Sequence, residues 1–227
     1  MKHPVISVFE ACANPVIANE QAAYLRNKFV FFGLKTPFRR DLQRPFLQKT
    51  NLPEKKEAFE MIKELWGTPQ RELHYFGQEF LFKYAKQFEK KDISLIEHLI
   101  THNSWWDTID FIATKPLAEY FKIFPEERSK VVTRWIAGDN IWLQRSAILF
   151  QLKYKTETDL ELLTDIINNL SVSKELFIKK AIGWILREYS KTDEKWVSDF
   201  VKNNELQPLS KREAVKLVQG CFFMVNY

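Results

Sequence analysis

The sequence predicts an all-α fold. Three observations carry that expectation. Apolar residues recur at three- and four-residue spacing through most of the chain, no segment holds strict alternation for long, and helix-opening and helix-closing residues follow one another at short intervals. Glycine usage agrees, because six glycines among 227 residues stand against nineteen phenylalanines and seven tryptophans, too few for a turn-rich β fold or for phosphate-cradling loops. Neither G-x-G-x-x-G nor G-x-x-x-x-G-K-[ST] occurs, so no nucleotide cofactor is expected.

Taken in order, the first periodic segment covers 19–32, where Ala22, Ala23, Leu25, Phe29 and Phe32 mark one face and Gly33 ends the helix. Thr36 and Pro37 then open a short basic helix as N-cap and first helical residue, carrying Arg39, Arg40 and Arg44 up to Pro45, which limits or kinks it. Pro53 starts a segment through Trp66 that Gly67 closes. Thr68 and Pro69 begin another that runs through Tyr84, with Leu73, Phe76, Phe80 and Tyr84 on one stripe. Helices over 92–101, 104–121, 125–137, 140–154, 159–170, 174–190, 193–201 and 210–218 fill the rest.

Short connections between many helices invite a test for internal repeats. Trp106 and Trp142 stand 36 residues apart, and Ala147-Ile148 matches Ala181-Ile182 at an offset of 34, with Phe150 against Trp184 two places on. A period in the mid-thirties belongs to paired-helix repeats of the HEAT or TPR kind, whose second helices stack into one continuous concave wall. The expected architecture is therefore an α-α superhelix of such repeats with a concave basic groove, formed by a single domain over residues 1–227.

The stretch Ser104-Trp105-Trp106-Asp107-Thr108-Ile109-Asp110 puts two indoles and two carboxylates into one apolar helix. Ser104 followed three residues later by Asp107 has the form of a capping box, which makes Asp107 structural. Asp110 lies deeper, on the face of Trp106. An unpaired buried carboxylate is expensive, so Asp110 is either paired to a cation inside the protein or open to a cleft. Placing the second helices side by side brings Trp106 and Asp110, then Trp142 and Arg145, then Lys180, Trp184 and Arg187 onto successive rungs. Cations interleaved with aromatics suit nucleic acid, the cations neutralising phosphates and the rings meeting sugars or bases. For Lys179 and Lys180 a plain solvated face remains open. Trp142, flanked by Ile141 and Leu143, reads as core.

The formal net charge of +5 favours a polyanionic partner only if the excess gathers on one face. Cys12 and Cys221 sit at opposite ends without a C-x-x-C pair, and the four histidines make no H-E-x-x-H pattern, so neither a disulfide nor a metal site is expected. With no basic-then-apolar leader and no apolar run near membrane length, the expected location is cytoplasmic and no membrane partner is expected.

These residues resemble the AlkD-like DNA alkylation repair enzymes, the HEAT-like repeat DNA glycosylases of bacteria. The resemblance rests on SWWDTID from Ser104, on WIAGDNIWLQRSAILFQLKYK from Trp135, on KKAIGWILREY from Lys179, on NNELQPLSKREA from Asn203, and on Tyr24 with the F-x-G-x-x-T-P stretch ending at Pro37. It implies a cofactor-free enzyme that excises N3- and N7-alkylated purines from duplex DNA by hydrolysing the N-glycosidic bond, for which a monomer is the default expectation. It also implies Asp110 as the catalytic carboxylate, Trp106 and Trp184 as indoles against the deoxyribose, and Arg145 as the phosphate-holding arginine. Tyr24, Thr36, Arg40, Lys153, Lys179, Lys180 and Arg187 form the expected DNA-binding set. Two places depart from the family pattern: Leu176 precedes Phe177 where an aromatic pair is usual, and the run 220–225 is apolar.

The chemistry suits the residue types. An alkylated purine is cationic and leaves readily, so the demand falls on the sugar, whose oxocarbenium character a nearby carboxylate stabilises as it develops. Ring faces favour the same cation, contributing about 0.5 to 2 kcal/mol each. No lysine stands ready for a lyase step, so an abasic site is the expected product. Two rival readings keep the fold: a protein-binding scaffold, and a DNA-binding member without catalysis.

Overall fold

The computed structural model, which describes residues 3–218, follows the cap and period signals into helix after helix. Among the described residues no strand forms, and one isolated parallel bridge joins Val30 to Gln70. The helices fall into two compact units, Met1–Asn103 and Ser104–Tyr227.

The first unit holds α1 (Val5–Ala11), α2 (Pro15–Tyr24), α3 (Thr36–Gln43), α4 (Lys55–Trp66), α5 (Arg71–Lys83) and α6 (Ile93–Thr101). Helix α2 starts well before the periodic segment expected at 19–32, because the Asn14 side chain accepts from the N–H groups of Val16 and Ile17 with Pro15 at the first helical position. It ends at Tyr24, where Arg26 and Asn27 turn into the left-handed region. Gly33 therefore ends no helix. Its φ of +91° and an approach in which a Cβ would lie 2.0 Å from the Asn14 carbonyl oxygen leave room for glycine alone. Thr36 is the first helical residue of α3 and not its cap, a place taken by Lys35 without a side-chain bond. A 3-10 turn over Arg44–Leu47 accommodates Pro45. Thr68 closes α4 with its hydroxyl on the Leu65 carbonyl, and α5 begins only at Arg71, whose N–H bonds the Val30 carbonyl. The stripe Leu73, Phe76, Phe80 and Tyr84 is buried as the helical period requires.

The second unit holds α7 (Trp106–Ile112), α8 (Ala118–Ile123), α9 (Glu127–Ala137), α10 (Ile141–Leu149), α11 (Leu160–Leu170), α12 (Leu176–Tyr189), α13 (Glu194–Asn203) and α14 (Pro208–Ala214). Side chains of Asn140, Asp159 and Asp193 cap α10, α11 and α13. Trp105, not Ser104, occupies the cap position of α7, and its own side chain makes no cap bond. Between α7 and α8 the segment Ala113–Leu117 widens into a π-turn containing Pro116. Proline has no N–H to donate and its ring crowds the carbonyl four residues back, and the wider turn relieves both.

Helix α10 packs against α7 on one side and α12 on the other, while α9 and α11 cover it and α12 continues onto α14. The repeat is visible as bonds between side chains one period apart. Asp110 with Arg145, Lys122 with Glu157 and Lys153 with Glu188 are all 35 residues apart, and the Tyr154 hydroxyl reaches the Ala118 carbonyl at 2.6 Å across 36. The matched pair Phe150 and Trp184 keeps its register but not its surroundings. Helix α10 stops at Leu149, so Phe150 turns into the core against Phe121 and Tyr154, whereas α12 runs on and leaves Trp184 half-buried. Close approach of α12 and α14 depends on Gly183, where a Cβ would stand 2.4 Å from Glu213 Cβ, and on the Ser210 hydroxyl donating to the Lys179 carbonyl. The run 220–225 and Cys221 lie outside the described residues.

Candidate active site

Because α7 and α10 are neighbours in register, Asp110, the deeper of the two acids of α7, meets the single arginine of α10. Arg145 Nε donates to Asp110 Oδ1 at 2.7 Å and Nη2 donates to Oδ2 at 2.9 Å, a two-point contact that planar guanidinium and carboxylate groups share. Nη1 of the same arginine donates to the Phe177 carbonyl at 2.5 Å, tying α12 to the pair. The arginine side chain is 6% exposed and the aspartate 20%. Each carboxylate oxygen has a second lone pair beyond the one Arg145 uses, so the exposed edge of Asp110 still accepts. The Thr114 hydroxyl on the Asp110 carbonyl, at 2.6 Å, holds the backbone of the acid where the helix widens.

An aromatic cluster sits at the N-terminal ends of these helices. Trp105 meets Trp142 edge-on at 5.6 Å and Phe177 at 5.1 Å, Trp142 meets Phe177 at 5.0 Å, and the guanidinium of Arg145 lies 6.0 Å from the Phe177 ring. Trp142 is thus half-buried in an aromatic wall. Burial pushes the Asp110 carboxyl above its ordinary value and Asp107 adds to that, while Arg145 pulls it down. The burial cost prevails because the acid has lost most of its water and regains a single cation.

The other expected residues divide by unit. In the second, Trp106 is half-buried one turn before Asp110, and Trp184 is half-buried on α12 with no ring or hydrogen-bond partner among the described residues. Lys179 and Lys180 form no ion pair among the described residues, while Arg187 is paired to Glu213 and Lys153 to Glu188, each at 2.7 Å. In the first unit, Tyr24 is 72% exposed, Thr36 is exposed, and Arg40 lies 3.6 Å from Glu79. The basic stretch expected there is partly neutralised, since Arg39 is buried on Gln43 and Glu79, and Arg44 pairs with Asp41.

Sequence reasoning set Asp110 and Arg145 on adjacent rungs but did not pair them, and it missed Thr114 and the Phe177 carbonyl. A main-chain acceptor carries no side-chain signature, and a threonine four residues after an aspartate looks like any helical threonine. No group of three His, Cys, Asp or Glu stands close enough to hold a metal ion among the described residues, and none of their helices is long and apolar enough to cross a membrane.

Comparison with known proteins gives a consistent picture. The family described as DNA alkylation repair enzyme matches residues 5–218. A solved structure titled "Predicted DNA alkylation repair enzyme from Enterococcus faecalis" is 28% identical, with a TM-score of 0.86 over 92% of this chain and 97% of that one. AlkD2 from Streptococcus mutans shares the fold at 14% identity, with a TM-score of 0.65 over 89% of this chain and 99% of its own. Another Streptococcus mutans UA159 protein does so at 13% identity and a TM-score of 0.61, over 89% of this chain and 98% of its own. Among curated proteins none matches.

Proposed function

The chain belongs to the DNA alkylation repair enzyme family, and from that premise we propose that it is a monofunctional DNA glycosylase hydrolysing the N-glycosidic bond of N3- and N7-alkylated purines, such as 3-methyladenine and 7-methylguanine, in duplex DNA. The observation that carries the reading is the Asp110–Arg145 pair: a buried acid with one open edge, beside half-buried indoles, held by a side chain that can be reassigned.

In this reading the exposed edge of Asp110 faces the C1′ side of the deoxyribose. As the cationic purine departs, the carboxylate stabilises the positive charge that develops on the sugar and directs a water to the same carbon. Trp106 and Trp184 supply ring faces to that cation. Arg145 passes an N–H from Asp110 to the phosphate beside the lesion, leaving the carboxylate less neutralised and more attractive to the sugar. Tyr24, Thr36, Arg40, Lys153, Lys179, Lys180 and Arg187 contribute to the DNA-binding surface. The working form is a cytoplasmic monomer, and the products are a free base and an abasic site.

The second reading, DNA binding without catalysis, is favoured by one feature: all three Arg145 nitrogen positions already donate inside the protein, as in a purely structural ion pair. Incubating the protein with a duplex carrying a single 7-methylguanine separates the two. Release of free base with no strand cleavage before alkali supports the glycosylase. Tight, salt-sensitive duplex binding with no base released would overturn it in favour of the second reading.

A further inference from the structure

A cavity of about 320 Å³ opens between the loop after α10 and the C-terminal end of α12, lined by Gln151, Lys153, Lys155, Glu188, Tyr189 and Lys191 among others. Its charges are organised. Glu188 gives one carboxylate oxygen to Lys153 and the other to Lys191, both at 2.7 Å, and the two lysines pull its carboxyl below the usual range against the opposing effect of burial, so it stays ionised. Lys155 forms no ion pair among the described residues and sits in the left-handed region at φ +54°. That conformation costs about 1 to 2 kcal/mol for a residue with a Cβ, and glycine or asparagine would occupy it more cheaply.

The loop is fixed in place. The buried Gln151 amide both accepts from the Asp159 N–H at 2.7 Å and donates to the Asp159 carbonyl at 3.3 Å, closing residues 151–159 into a clasp, and Tyr154 anchors the middle of it to Ala118. Three lysines against one glutamate leave a formal surplus of two positive charges. The C-terminal ends of α10 and α12 each contribute about −0.5, so a net attraction for one anion remains.

We propose that this cavity is a second anion subsite that holds a backbone phosphodiester of the duplex flanking the lesion. The inference rests on the DNA-binding part of the reading above. Placement favours DNA over a free anion, because Glu188 lies one helical turn beyond Trp184, about 6 Å along α12, and a strand carries one phosphate about every 3.4 Å of helix axis. In the proposed complex, with a lesion nucleotide against Trp184 and α12 lying along the strand, that distance spans about one to two phosphates. Glu188 holds the lysines open in the free protein, and each ammonium keeps donors beyond those it gives the carboxylate.

The test is the salt dependence of affinity for an undamaged duplex, in the parent and in two variants. Lys155→Ala with Lys191→Ala should bind on the order of tenfold more weakly at moderate salt and flatten the slope of log affinity against log salt by about 0.9 for each phosphate no longer neutralised. Glu188→Gln should bind more tightly, a direction that impaired folding does not produce. A parent that binds with both variants unchanged overturns the subsite and leaves the glycosylase reading standing. A parent that binds no duplex overturns both. Amide shifts of Lys155 and Thr192 on adding millimolar inorganic phosphate, with an unchanged duplex slope, would overturn the DNA assignment and mark the cavity as a free-phosphate site.

Discussion

Two acids, Glu72 in the first unit and Asp110 in the second, show how the degree of burial and the choice of partner separate structure from site. Glu72 in the first unit is fully buried, and its carboxylate is spent on main-chain donors: Phe32 N–H on one oxygen, Gly33 and Leu34 N–H on the other, at 2.9 to 3.1 Å. Those partners are part of the chain path and cannot be exchanged. Asp110 in the second unit is bound to a side chain, remains one-fifth exposed, and has its carboxyl raised by burial. A carboxylate tied to backbone fixes a loop. One tied to a movable guanidinium at an opening can hand its partner to a ligand and take up new charge.

The sharpest break of that contrast is in activity. Asp110→Asn is expected to lower single-turnover base release by about 100- to 1,000-fold, the scale for loss of one transition-state electrostatic partner, while Glu72→Gln leaves the chemical step unchanged at temperatures where the protein is folded. In stability the order reverses. Glu72→Gln keeps one oxygen for the Gly33 and Leu34 N–H groups but sets an NH2 group against the buried Phe32 N–H, and should cost about 2 to 4 kcal/mol in urea unfolding, against about 1 kcal/mol for Asp110→Asn, whose amide oxygen still accepts from Arg145 and whose edge is open to solvent. Equal losses from the two would erase the distinction.

Arg145→Ala sharpens it further, because it strands Asp110 without its cation. A stability loss of about 2 to 3 kcal/mol is expected, with the Asp110 carboxyl moving further up as the counter-charge is removed.

A smaller effect separates the units by pH. His3 is packed among Phe46, Phe76 and Phe80 with its Nδ1 accepting from Val5 N–H, and burial pushes it down to about 4. Its folded value lies below the unfolded one, so the unfolded state binds more protons between about pH 6.5 and 4, and the stability present above that window is lost as pH falls through it. The loss has an upper limit of about 3 kcal/mol by pH 4. Replacing His3 by Gln should flatten this limb of the pH–stability curve, and an unchanged limb would assign it to other groups.

The helices were legible because period and punctuation are local: Asn140, Asp159 and Asp193 cap where a reader would place them, and the apolar stripe of α5 is buried. Within the helix expected over 19–32, residues 25–32 were misread because Phe29 and Phe32 keep a helical spacing, whereas the chain there follows an irregular path that Glu72 holds at Phe32, forty positions away in sequence. The mid-thirties repeat placed Asp110, Arg145 and Lys180 on adjacent rungs, but adjacency does not say which charges spend themselves on each other. Lys153 and Arg187 read as free cations and are paired, since Glu188 and Glu213 sit one period and one helix away.

Catalysis by this route requires Asp110 to change partners when DNA binds. The direct measurement is the acid limb of the pH–rate profile for base release, where kcat/KM reports the free enzyme and kcat the complex. Burial places the Asp110 limb above the ordinary aspartate value in both, and transfer of an Arg145 N–H to the phosphate removes what held it down, so the kcat limb should lie at higher pH than the kcat/KM limb, and both should vanish in Asp110→Asn. Coincident limbs, or limbs that survive the substitution, would contradict it.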